Sequence, residues 1–113
     1  MTYNNPYMNK QNEGIKYDEQ KPKMGFLFKS FPNALRKVSK QNDYGANKYS
    51  PMNWKHVSSE RYEDALSRHL ILALENPNAI DESGQEHLAA VAWNALALIE
   101  LRQNMKGQNN DNS

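Results

Sequence analysis

The chain has 113 residues, no cysteine, 38% hydrophobic residues and 14 Lys and Arg against 13 Asp and Glu, for a net charge of +1. That length allows one domain at most, and the balanced charge gives no global field for duplex nucleic acid or a membrane surface, although a local patch can still hold a nucleotide-sized anion. The absence of cysteine excludes disulfides and thiolate metal sites and fits a reducing cytoplasm. No apolar run approaches the ~20 residues of a membrane span, and no signal peptide is expected.

The first 14 residues and the segment 104–113 are rich in Asn, Gln and Gly and are expected to be disordered tails. Between them, 15–103 is expected to form the foldable domain, small enough and polar enough that burial against further copies, a homo-oligomer, is a natural expectation. Ile15 to Lys23 is charged, contains Pro22, and is predicted to be extended or looped. Met24-Gly25-Phe26-Leu27-Phe28 fits a short strand or an apolar plug.

Phe31-Pro32-Asn33 opens a predicted helix, Pro32 being suited to the first turn, and Leu35 and Val38 give it a core side. It is expected to run to Tyr44 or Lys48, with Gly45 either ending it or allowing close approach of another helix or a ligand. Ser50 to Val57 is a loop holding Trp54. Ser58 or Ser59 caps the next helix, Glu60 to Glu75, stopped by Asn76-Pro77-Asn78. Tyr62, Leu66, Leu70 and Ala73 form its expected buried stripe, with His69 at the edge. Ile71 and Leu72 leave its second half apolar nearly all round, as for a helix that is central or meets another subunit.

Ser83 and Glu86 have the S-x-x-E spacing of a capping box, which predicts that the last helix starts beside Ser83. Leu88, Ala92, Ala95, Leu96 and Ile99 share one face and are its predicted core side. The fold class is therefore all-α: a small domain of about three helices with an irregular N-terminal arm, expected to be oligomeric.

Several polar groups are candidates for chemistry, each with a structural alternative. Glu60, Glu63 and Asp64 lie along one helix side and suit Mg²⁺, which takes carboxylates, phosphates and water; they are otherwise acids near a helix start, with Asp64 and Arg68 an i,i+4 ion pair. His69 and His87, with Asp81 and Glu82, suit a divalent metal or acid-base work, or are hydrogen-bonded core histidines. Asn94 in mid-helix needs partners and serves either as a structural buckle or as a reader of a base edge. Trp93 points away from the predicted core, toward an oligomer contact, a base or solvent. Lys16, Lys21, Lys23, Lys48, Arg61 and Arg68 converge on phosphates if the N-terminal arm folds over the helices, and are otherwise a solvated surface.

The order of Lys16-Tyr17-Asp18 with Lys21-Pro22-Lys23, Tyr44 to Tyr49, Asn53-Trp54, Arg61 to Leu70 and Asp81 to Leu96 resembles a family of small phage proteins, the dATP/dGTP diphosphohydrolase N-terminal domain. The resemblance covers nearly all of the foldable chain. It implies handling of purine deoxynucleotides in a host cytoplasm, with Asp64, Arg68, His69, Asp81, Ser83, His87 and Asn94 as the matching polar positions.

On the enzymatic expectation the protein is a Mg²⁺-dependent dNTP pyrophosphohydrolase: Glu60, Glu63 and Asp64 hold the metal, and His69, His87 and Asp81 are catalytic. Lys16, Tyr17, Lys21, Lys48, Trp54, Arg61, Arg68 and Asn94 bind the nucleotide. The chain departs from helical pyrophosphohydrolases of the MazG type, which pair Glu-x-x-Glu with a later Glu-x-x-Asp; only Glu60-Arg61-Tyr62-Glu63 is present. The alternative expectation is a non-catalytic oligomeric sponge that sequesters a nucleotide immune signal and needs no metal.

Overall fold

A computed structural model describes residues 14–111, with side chains described to residue 105. The protein is all-α: among the described residues there are four α-helices, α1 (Met24–Ser30), α2 (Pro32–Lys48), α3 (Ser59–Glu75) and α4 (His87–Asp111), and a 3-10 turn over Asn53–His56. The chain divides between Pro32 and Asn33 into two compact units. The tail expected over residues 1–14 lies, but for Gly14, outside the described residues. The 104–111 stretch, also expected as a tail, continues α4.

In the first unit, Lys23 reaches back to the Asp18 carbonyl at 3.0 Å, and the Lys21 N–H closes a turn onto the same oxygen. Met24 to Ser30 is helical, not the strand or plug expected from its apolar run, and none of it is buried. A lone strand there would leave its backbone groups unpaired, whereas a helix satisfies them within the segment. Lys16, Tyr17 and Lys21 belong to this unit and are exposed.

The second unit is built on the packing of α3 against α4. Tyr62, Ala97 and Leu98 form its buried centre, with Trp54, Val57, Leu66, Trp93 and Leu101 packed around it. α2 starts at Pro32 as expected and runs past Gly45 to Lys48, so Gly45 does not end it. Polar contacts bind α2 to the α3–α4 pair: Trp93 donates its indole N–H to Asn42 at 2.9 Å, and Lys37 pairs with Glu86 at 3.1 Å. α3 begins after Ser58, whose side chain makes no capping bond, and ends where the Asn76 N–H meets the Leu72 carbonyl.

The two helices differ in how well their buried faces follow the sequence. Tyr62 and Ala73 of the predicted α3 stripe are buried, but Leu70 lies on the surface. In α4 the expected face is turned outward. Leu88, Leu96 and Ile99 are 52%, 52% and 63% exposed, whereas Ala89, Ala90, Asn94, Ala97 and Leu98 are buried. α4 is apolar on nearly every side, so periodicity cannot choose its inner face. Small residues can choose it, because alanines at the contact let helix backbones approach closely.

The start of α4 also departs from expectation. It begins at His87, after a tight turn in which Asp81 and Gly84 take the leading parts. Asp81 accepts the Ser83 backbone N–H on its carboxylate at 2.8 Å and the Gly84 N–H on its carbonyl at 3.0 Å. Gly84 has φ +83°, and Ile80 and Glu86 form an antiparallel bridge across the turn. A left-handed residue at 84 is incompatible with a helix already under way, so the capping box predicted on Ser83 does not form. Glu86 pairs with Lys37 instead.

Candidate functional site

A cavity of about 530 Å³ lies within the second unit, walled by the last turns of α2, the 50–57 loop, the first half of α3 and the middle of α4. Tyr44, Tyr49, Trp54 and Trp93 supply aromatic surface, and Lys48, Arg61 and Arg68 supply positive charge. The wall is well braced. Tyr62 donates its hydroxyl to the Trp54 carbonyl at 2.8 Å, and its ring meets the edge of Trp93 with centroids 5.6 Å apart. Burial pushes the Tyr62 phenol above its usual range, so it remains a donor through the physiological pH range.

The cations have different company. Lys48 pairs with Glu82 at 3.3 Å and lies within 6 Å of the Tyr44 and Tyr49 ring centres. The hydrogen bond to Glu82 holds the Lys48 ammonium above its usual pKa, so it is charged at every physiological pH. Arg61 and Arg68 form no ion pair among the described residues. The i,i+4 pair expected between Asp64 and Arg68 is therefore not made. Two guanidinium groups on a cavity wall retain their full donor forks for an anion.

Asn94 lies at the cavity's inner side, 6% exposed, and donates its amide N–H to the Ala90 carbonyl at 2.7 Å. Of the residues expected to bind a nucleotide, the cavity thus gathers Lys48, Trp54, Arg61, Arg68 and Asn94. Of the three expected metal ligands it includes Asp64 alone. Glu60 is exposed, and Glu63 is held by Arg102 at 3.1 Å.

His69, His87 and Asp81 lie elsewhere. The two imidazoles meet Nδ1 to Nδ1 at 2.8 Å, and His87 is buried. One ring must donate and the other accept, so the pair holds a single proton between these nitrogens. Burial, and then the neighbouring His87, hold His69 below the usual imidazole range. Asp81 uses one carboxylate oxygen, Oδ1, for both the Ser83 backbone N–H and the Ser83 hydroxyl, which also meets Gln41. No group of three His, Asp or Glu side chains placed to hold a metal ion occurs among the described residues.

Of the α2 wall, sequence reasoning reached Lys48 and, as one alternative, ligand approach at Gly45, but missed Asn42, Ala46 and Tyr49. Asn42, Gly45, Ala46 and Tyr49 recur at i, i+3, i+4 and i+7, a spacing that sets them on one helix face. Small residues flanked by an amide and an aromatic on one face were the available signal. A Cβ on Gly45 would meet nothing within 4 Å, so no neighbouring helix requires the glycine, and the space beside it is cavity. Trp93, expected to face an oligomer contact, a base or solvent, lines the cavity, where Tyr62 and Asn42 receive its ring and its N–H.

Comparison with known proteins agrees with the resemblance in the sequence. Residues 11–111 match the family described as dATP/dGTP diphosphohydrolase, N-terminal. A dATP/dGTP diphosphohydrolase of Salmonella phage PMBT28 is 32% identical over 91 residues, a stretch that spans 80% of this chain and 30% of that protein. The chain therefore spans less than a third of that relative's length. No solved structure matches. No helix among the described residues is long and apolar enough to cross a membrane. The match over most of its length shows that the chain belongs to the dATP/dGTP diphosphohydrolase N-terminal family.

Proposed function

We propose that the second unit binds a purine deoxynucleotide in its cavity, with the aromatic wall receiving the base and Lys48, Arg61 and Arg68 receiving the phosphates. The observation that carries this reading is the meeting, in one cavity, of five aromatic side chains, Tyr62 among them, with two arginines that have no ion-pair partner among the described residues. Bases stack on aromatic faces, and guanidinium forks match phosphate oxygens. The cavity volume falls within the usual range for small-molecule sites. The likeness to a phage dATP/dGTP diphosphohydrolase supports a purine deoxynucleoside triphosphate as ligand and an infected host's cytoplasm as the setting.

The reaction supported by that likeness is release of pyrophosphate, and Mg²⁺ is proposed from the chemistry of the cavity wall. Asp64 and Glu82 are the carboxylates on the cavity wall, and Mg²⁺ is commonly held by one or two carboxylates together with substrate phosphates, so Asp64 would hold the ion with the phosphates, joined by Glu82 if it exchanged Lys48 for the metal. When bound, the ion would neutralise charge on the phosphoryl oxygens. Arg61 and Arg68 would fix the triphosphate, and the packed aromatic wall would exclude bulk water from the base.

A second reading is sequestration without turnover, and the ion pairs favour it. Glu63 is engaged by Arg102 and Glu82 by Lys48, which leaves Asp64 as the cavity carboxylate without such a partner among the described residues. The exposed apolar residues of α3 and α4, Ile71, Leu74, Leu88 and Ile99 among them, support a homo-oligomer under either reading.

Both tryptophans of the chain line the cavity, so intrinsic fluorescence reports directly on its occupancy. Titration with dATP and dGTP is expected to quench it with saturation, and dCTP and dTTP to bind more weakly. Incubation with Mg²⁺ followed by chromatography then separates the readings: pyrophosphate and monophosphate signify the enzyme, and ligand recovered intact signifies the sequestering protein. Absence of any saturable response to the purine nucleotides would remove both.

A further inference from the structure

Two amides on the cavity wall, Asn42 and Asn94, have orientations fixed by partners that allow no alternative. Asn42 receives the Trp93 indole N–H on its side-chain oxygen at 2.9 Å. An indole N–H can only donate, so the Asn42 oxygen must face Trp93 and both of its amide N–H donors are left over. Asn94 has the opposite polarity. Its nitrogen donates to the Ala90 carbonyl at 2.7 Å, and because a backbone carbonyl can only accept, the Asn94 oxygen is the end left over. That oxygen belongs to a side chain only 6% exposed and has no hydrogen-bond partner among the described residues. Buried acceptors without partners are uncommon in folded proteins and ask for an explanation.

We propose that Asn42 and Asn94 read the edge of a nucleobase, Asn42 donating to a ring nitrogen or carbonyl oxygen and Asn94 accepting from an amino group or ring N–H. The inference rests on the nucleotide-binding reading and adds to it the residues that contact the base. The pair requires a ligand edge with a donor beside an acceptor. Adenine offers one on either side, its 6-amino group next to N7 or next to N1. Guanine offers only acceptors, N7 and O6, on the corresponding major-groove edge, so it is taken by its Watson–Crick edge, where O6 lies beside N1–H. Asn42 and Trp93 act as a unit, because the indole holds the amide in the orientation that presents its donors.

The test uses Asn42→Asp in the full chain. Aspartate still accepts the Trp93 N–H, so the brace survives, but it offers acceptors where the amide offered donors. Fluorescence titrations compare dATP with its 1-deaza, 7-deaza and 6-unsubstituted purine analogues in the wild type and the variant, with thermal melts as the check on folding. The wild type is expected to bind the 6-unsubstituted analogue about tenfold more weakly than dATP, and one of the two deaza analogues weakened by a similar factor. In Asn42→Asp the deaza discrimination disappears; the added charge acts on all triphosphates alike and cancels in the ratio. Equal binding of dATP and the 6-unsubstituted analogue by the wild type, or unchanged deaza ratios in the variant, overturns the inference while the nucleotide reading survives. Failure of the wild type to bind any of these triphosphates overturns both.

Discussion

The cavity and the histidine corner are both polar and both drawn from the same helices, yet they differ in what their side chains have left to offer. At the corner, His69 and His87 meet through their Nδ1 atoms, and one carboxylate oxygen of Asp81 closes its own turn. At the cavity, Arg61 and Arg68 have no ion-pair partner among the described residues, and the Asn94 oxygen accepts no hydrogen bond there. Side chains that partner one another across elements brace the fold, whereas donors and acceptors left over on a concave wall are the groups that the proposed ligand would use.

The largest effect expected from this contrast is on the arginines. Replacing Arg61 and Arg68 together by glutamine should weaken purine triphosphate binding about 100-fold or more, since each charge-assisted contact contributes roughly 1.5–3 kcal/mol. The melting temperature should barely change, because neither residue carries an ion pair among the described residues. Calorimetric titration and a thermal melt on the same sample check both halves, and a stability loss equal to the binding loss would erase the distinction between the two regions.

The histidine corner should behave in the opposite way. His87→Ala leaves His69 without its partner and should cost about 2 kcal/mol of stability in urea unfolding, with nucleotide affinity unchanged. The corner also carries a pH signature. The folded His69 pKa lies below the ordinary imidazole value of 6.5, because burial, with His87 and Arg68, outweighs the attraction of Asp81 and Glu82. The unfolded state then binds more protons in the window between the two pKa values, so this contribution is fully present above 6.5 and is lost as pH falls toward the folded value. Urea midpoints measured from about pH 7.5 to about pH 5.5 should decline, and His69→Gln should flatten that decline.

The smallest expected effect is at Gly45, where α2 passes the cavity. Gly45→Ala should stabilise the protein by about 0.5–1 kcal/mol through helix propensity, since a Cβ there meets no atom within 4 Å. The same methyl occupies cavity space and should weaken purine triphosphate binding several-fold. A rise in melting temperature with no loss of affinity would show that the ligand keeps away from α2.

Helix α3 and the start of α2 were legible in the sequence because their signals are local: Pro32 in a first turn, serines before Glu60, and Asn76-Pro77 after Glu75. The family was legible too, since the spacing of Tyr44 to Tyr49, Arg61 to Leu70 and Asp81 to Leu96 survives without knowledge of contacts. The start of α4 was not, because the S-x-x-E pattern at Ser83 competes with a turn that needs Gly84 at positive φ. Nor was the inner face of α4. With apolar side chains almost all round, the choice fell to a close fit against α3 that admits Ala90, Asn94 and Ala97 and leaves Leu96 and Ile99 outside.

Membership of the dATP/dGTP diphosphohydrolase N-terminal family, the all-α class, the start of α2 and the limits of α3 were thus legible in the sequence alone, through spacings and local signals that act over a few residues. Which polar groups share a cavity was decided only by tertiary structure. Asn42, Trp93 and Asn94 lie on two helices some fifty residues apart, and their meeting depends on the rotation of α4 about its own axis. Packing against α3 and α2 sets that rotation, and the hydrophobic pattern of α4, apolar on nearly every side, could not.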